Sequence, residues 1–136
     1  MSRDIILPDS SRGAYDAFHF APGVRVGDLV VLSGQIGTTA SGQIPQDAAE
    51  EFRNAWNAVG AVLNAAGLNF DAIVEYTTFH VGLREHLATF MKVRDEFIRE
   101  PWPAWTAIGV SELAVPGARV EIRVMARRGA SLRGDT

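Results

Sequence analysis

The chain has 136 residues, 47% of them hydrophobic and 21% charged, which supplies the core of one packed domain and excludes a disordered chain. A formal net charge of -3 argues against the concentrated basic surface that nucleic acid requires, and the basic pair Arg127-Arg128 reads as a solvated C-terminal feature. The absence of cysteine excludes disulfides, thiol nucleophiles and thiolate metal sites, which suits a reducing cytosol.

Near the amino terminus Asp4 and Pro8 leave no apolar core for a signal peptide, and the longest apolar stretches are broken by Gly60, Asn64 or Gly67 well short of a membrane span. A cytoplasmic protein without a membrane segment is expected. From Pro8 to Gly13 the chain is turn-rich, so the first 17 residues read as a loop or loosely held arm. Phe18 to Ala21 suits a short strand ending in a turn at Pro22-Gly23, and the apolar run Leu29 to Leu32 suits a strand buried on both faces. From Asp47 the period changes. Phe52, Ala55, Trp56, Val59, Val62, Leu63 and Ala66 recur at the spacing of one helical face, with Asp47 and Glu50 placed as a capping box and Gly67 as a left-handed C-cap.

Ile73 to Val81 is β-branched and aromatic, without Gly or Pro, and predicts a central strand. Leu87, Phe90, Met91, Arg94, Phe97 and Ile98 repeat the helical spacing and stop before Pro101 and Pro103. Trp105 to Val110 reads as extended. After a turn at Pro116-Gly117, Val120, Ile122, Val124 and Ala126 alternate with Glu121, Arg123 and Met125, the pattern of a strand with one apolar face. The tail from Gly129 to Thr136 reads as frayed. Two helices with one apolar stripe each cover the same face of a mixed sheet, giving a two-layer α+β sandwich in a single domain. Neither side of 73–81 is uniformly polar, so the second sheet face predicts association.

Four segments in order carry a resemblance: Ser33-Gly34-Gln35-Ile36, Leu63-Asn64-Ala65-Ala66-Gly67-Leu68, Trp102-Pro103-Ala104 and Val120-Glu121-Ile122. Together they resemble the RidA/YjgF family over roughly positions 18 to 128. The resemblance implies a chorismate-mutase-like fold and a homotrimer with ligand clefts between neighbouring subunits. It also implies hydrolytic deamination of enamines or imines, giving a ketone or keto acid and ammonia. No cofactor is implied. Glu121 takes the place of the carboxylate that orients water, and backbone groups near Ser33 and Gly34 that of part of the cleft lining. In active members an arginine clamps the substrate carboxylate at the position of Trp105, a bidentate pairing for which guanidinium is suited. Phe20 stands where many members have tyrosine, and Met91 where an asparagine is common, so a more apolar cleft is expected.

Water attacking a C=N carbon needs an orienting acceptor, and the leaving nitrogen needs a proton, so one carboxylate within reach can serve both steps. Glu121 can also be read as a strand carboxylate balanced by Arg119 and Arg123. Trp105 can be an interface residue or a stacking surface for a planar ligand. Arg94, Arg119 and Arg123 are the arginines in reserve for the missing clamp. His19, His80 and His86 form no recognisable metal-ligand set, Asp95-Glu96 reads as solvent-facing, and Gly34, Gly37 and Gly42 read as turn glycines. The alternative to an enzyme is a non-catalytic trimeric protein that binds a small molecule in the same cleft.

Overall fold

The computed structural model describes residues 2–129, so all of the expected frayed tail except Gly129 lies outside the described residues. One mixed sheet contains β1 (Asp4–Ile6), β2 (Gly23–Val26), β3 (Leu29–Leu32), β4 (Ile73–His80), β5 (Ala104–Gly109) and β6 (Val120–Arg127), in the spatial order β1-β2-β3-β6-β4-β5. Among the described residues only β4 and β5 pair in parallel, and α3 (Leu83–Arg94) supplies the crossover that a parallel pair requires. α2 (Ala48–Ala65) links β3 to β4, and the short α1 (Arg12–Phe18) precedes β2.

The side-chain alternation of the strands divides the sheet cleanly. Val120, Ile122, Val124 and Ala126 of β6 and Tyr76, Thr78 and His80 of β4 face the helices and are buried. Against them α2 places Phe52, Trp56, Val59 and Leu63, and α3 places Phe90 and Val93, all within the same core. The other face carries no helix over its centre. One row crosses all six strands there, from Ile5 through Val24, Val31, Met125 and Glu75 to Ala104. Apolar groups such as Leu29 and Val31 are exposed on it. Among the described residues no helix is long and apolar enough to cross a membrane.

The start of α2 is the one its sequence announces: the Asp47 carboxylate accepts a hydrogen bond from the Glu50 amide at 3.0 Å. At the other end Gly67 takes φ 78° while Leu68 N–H reaches back to the Leu63 carbonyl at 2.8 Å, the left-handed closure that glycine permits. Asp47→Ala should therefore cost about 1 kcal/mol, read as a lower urea midpoint with an unchanged slope.

Several local expectations are corrected. The first 17 residues are not a loose arm: β1 pairs with β2, and α1 follows. The second strand is not Phe18–Ala21 but Gly23–Val26, because pairing with Leu29–Leu32 fixes its register. β3 is buried on one face only, with Val30 and Leu32 inside and Leu29 and Val31 outside. α3 begins at Leu83 and ends at Arg94, leaving Phe97 and Ile98 to pack from the following turn. Gly34 and Gly37 are not turn glycines but close-approach positions, since a Cβ would strike the Glu121 carboxylate at Gly34 and the Glu51 carbonyl at Gly37.

Candidate active site

Ser33 to Gln35 cross the beginning of β6. Gln35 and Ile122 exchange two backbone hydrogen bonds of 2.8 and 2.9 Å, which lays Gly34 directly on the Glu121 side chain. Glycine is needed there for space. Glu121 is half-buried on the open sheet face, paired across to Phe79, with Ile108 in the same row one strand further. Among the described residues its carboxylate has no ion pair and no hydrogen bond. The charge balance the sequence offered is not formed, because Arg119 turns away to Glu51 at 2.7 Å and Arg123 approaches no carboxylate within 4.0 Å among the described residues. A half-buried carboxylate without a protein partner keeps its acceptor capacity for water or a ligand.

Ser33 Oγ donates to the Ala21 carbonyl at 2.6 Å, and Ser33 N–H donates to the Pro22 carbonyl at 2.8 Å. These bonds tie the end of β3 to the segment carrying Phe20. Ser33 and Phe20 then line one open cavity of about 640 Å³ together with Arg3, Tyr15, Asp16 and His19. The last four escaped the sequence reading. α1, which brings Tyr15 and Asp16 there, has no buried residue and hence no apolar stripe to announce it. His19 closes α1 at φ 61°, a left-handed conformation that histidine adopts more readily than most residues. That would have been hard to foresee.

Trp105 and Met91 lie elsewhere. Trp105 pairs with Tyr76 on the helix-covered side of the sheet, opposite to Glu121. Its ring stacks on Tyr76 at 5.8 Å and 12°, and its Nε1–H donates to Thr78 Oγ1 at 2.9 Å. Thr78 Oγ1 in turn lies 2.7 Å from His80 Nε2. The other ring nitrogen of His80, Nδ1, is buried and has no hydrogen-bond partner among the described residues. Met91 is exposed on α3, one turn before Arg94. A single chain thus brings Phe20, Ser33, Gly34 and Glu121 to one side and Met91 and Trp105 to the other.

Burial, with His86 adding a smaller repulsion, lowers the His80 pKa from 6.5 to about 4. The unfolded chain therefore binds this proton more readily within that interval. The stability contributed by neutral His80 is complete above about 6.5 and is lost as the pH falls towards about 4. The expected loss is about 3 kcal/mol, seen in denaturant titrations between those pH values as a slope that His80→Gln should remove.

No group of three or more His, Asp or Glu among the described residues is placed to hold a metal ion. The sheet order, the glycine-covered carboxylate and the aromatic edge strand define an α+β protein with a carboxylate site on its uncovered face. The profile of the Endoribonuclease L-PSP family matches residues 14–128. The RutC family protein YjgH of Escherichia coli is 35% identical over 93% of this chain and 96% of its own length. A solved structure of protein YjgH superposes with a TM-score of 0.85 over 93% of this chain and 97% of that one. The 2-iminobutanoate/2-iminopropanoate deaminase of Bos taurus is 33% identical over 81% of this chain and 80% of its own. The chain belongs to the RidA/YjgF family, also described as the Endoribonuclease L-PSP family.

Proposed function

We propose that this protein is a hydrolytic deaminase of small enamines or imines, working in a cleft shared by two copies of the chain. The observation that carries this reading is Glu121, a half-buried carboxylate with no partner among the described residues and a glycine laid over it. The carboxylate accepts a proton from water as the oxygen attacks the C=N carbon, then passes it to the nitrogen. The resulting carbinolamine collapses to the ketone, and ammonia leaves. An enamine enters the same sequence through its imine tautomer.

Glu121 and Trp105 occupy opposite faces of one sheet, so a ligand can touch both only where the open face of one copy meets the β5 edge of another. The apolar row through Ile5, Val24 and Val31, exposed at Ile5 and Val31, favours such association, and a trimer closes the contact as a ring. The deaminase names of relatives at about a third identity support the reaction class. Trp105 and Phe20 favour a larger, planar conjugated substrate of the 2-aminomuconate type over 2-aminoacrylate. The net charge of -3 gives RNA no general attraction. Purified protein should sediment as a trimer at micromolar concentration and release ammonia from freshly generated 2-aminomuconate faster than from 2-aminoacrylate. A monomer, or no release from either compound, would overturn the reading, and the latter would favour a binding protein of the same fold.

A further inference from the structure

Among the described residues Arg94 is the least exposed of the arginines in ion pairs, and most of its hydrogen-bonding capacity is unused. Only 13% of its side chain is exposed. Its guanidinium carbon stands 5.0 Å from the centre of the Trp105 ring, a distance at which the aromatic face attracts a cation. Nε–H donates to Asp95 Oδ1 at 2.8 Å and Nη1–H donates to Tyr76 Oη at 3.1 Å. A guanidinium carries five N–H donors, so three are left without an acceptor among the described residues. Arginines elsewhere are engaged differently. Arg53 pairs with both oxygens of Glu96 at 2.9 and 3.0 Å, and Arg119 is taken up by Glu51 and two carbonyls.

The surroundings of Arg94 explain what the spare donors suit. Asp95 offers one oxygen and is itself mostly exposed. Tyr76 offers a neutral phenol. Trp105 has committed its only donor to Thr78, so the indole contributes a flat shelf beside the cation, not a polar contact. Met91 is exposed one turn earlier on the same helix, and β5 is an edge strand with no neighbour on its outer side. A planar fork on an aromatic shelf at an open sheet edge is the geometry that receives a carboxylate.

We infer that Arg94, held against Trp105, binds the carboxylate of a small planar substrate or product, with Met91 against its apolar portion. The inference rests on the deaminase reading for the identity of that substrate but not for the binding itself. Of the other two arginines held in reserve, Arg119 is taken up by Glu51, and Arg123 lies exposed on the sheet face of Glu121, not beside Trp105.

The test is calorimetric titration of the full-length protein with 2-oxobutanoate and with butanone, which lacks the carboxylate. It is made on wild type, Arg94→Met, Arg94→Lys and Arg53→Met, the last a charge-removal control at a surface ion pair, with sedimentation of each. Wild type and Arg53→Met should bind the keto acid alike. Arg94→Met should weaken it on the order of tenfold to a hundredfold, Arg94→Lys should recover part of the loss, and butanone should not distinguish the variants. Keto-acid binding unchanged in a folded Arg94→Met protein, or absent from wild type, would overturn the inference. So would loss of the trimer with binding retained, which would assign the guanidinium to a carboxylate of a second copy. Arg94-dependent binding without ammonia release would sink the deaminase reading and leave this one standing.

Discussion

Glu121→Gln is expected to lower the turnover number for ammonia release by on the order of a hundredfold to ten-thousandfold, while the protein stays folded and associated. The substitution keeps the side-chain volume beneath Gly34 and the place in the row with Phe79 and Ile108, so packing barely changes. What disappears is the proton acceptor. Substrate affinity should change much less, since the amide still fills the space and the anion-binding group is sought on a different element. Because the proposed site takes Glu121 from one copy and Trp105 with Arg94 from another, two impaired proteins should complement each other. Glu121→Gln and Arg94→Met subunits, denatured together and refolded, should form an intact site in about a quarter of positions by random mixing in a cyclic trimer, read as a gain in rate far below substrate saturation. Separate refolding should form no intact site. Equal activity of the two preparations would place both residues in one chain's site, contrary to the sheet geometry.

That two-sided site was only half legible in the sequence. The alternation of Val120, Ile122, Val124 and Ala126 with Glu121, Arg123 and Met125 correctly separates the faces of β6, because burial on one side of a strand writes a period of two. No comparable signal relates β6 to β5. The opposition of Glu121 and Trp105 depends on the register of both strands against β4, which is a tertiary fact. α2 was legible for the same reason as β6, its stripe and Asp47 cap being local. α1 was not, because it buries nothing. The apolar run Leu29 to Leu32 misled in the opposite direction. Its outward residues are as apolar as core residues, and a sequence does not distinguish a face covered by its own helices from one left exposed in the single chain.

Arg119 shows the same limit in its sharpest form, since its partner Glu51 is 68 positions away. Glu51 is fully buried in the first turn of α2. Its two oxygens accept from Arg119 Nη1 and from the Arg119 backbone N–H, each at 2.7 Å. The guanidinium also donates to the Pro45 and Gln46 carbonyls at 3.2 and 2.7 Å, so one side chain fastens the start of α2 and the preceding loop to the residue just before β6. Arg119→Met keeps much of the stem but leaves Glu51 with a single backbone donor in a dry environment. The expected loss is about 3–5 kcal/mol, several times that of Asp47→Ala, read from the guanidinium chloride midpoint at constant slope. Replacing both members, Glu51→Leu with Arg119→Met, should recover part of the loss, because no unpaired charge then remains buried. A loss below about 1 kcal/mol in Arg119→Met, the range of an exposed ion pair, would mean that water reaches Glu51. Two residues beyond Arg119 stands Glu121, so the single variant should also slow ammonia release at temperatures where it remains folded. The double variant, which restores the packing without the bond to the loop, should recover stability more fully than rate.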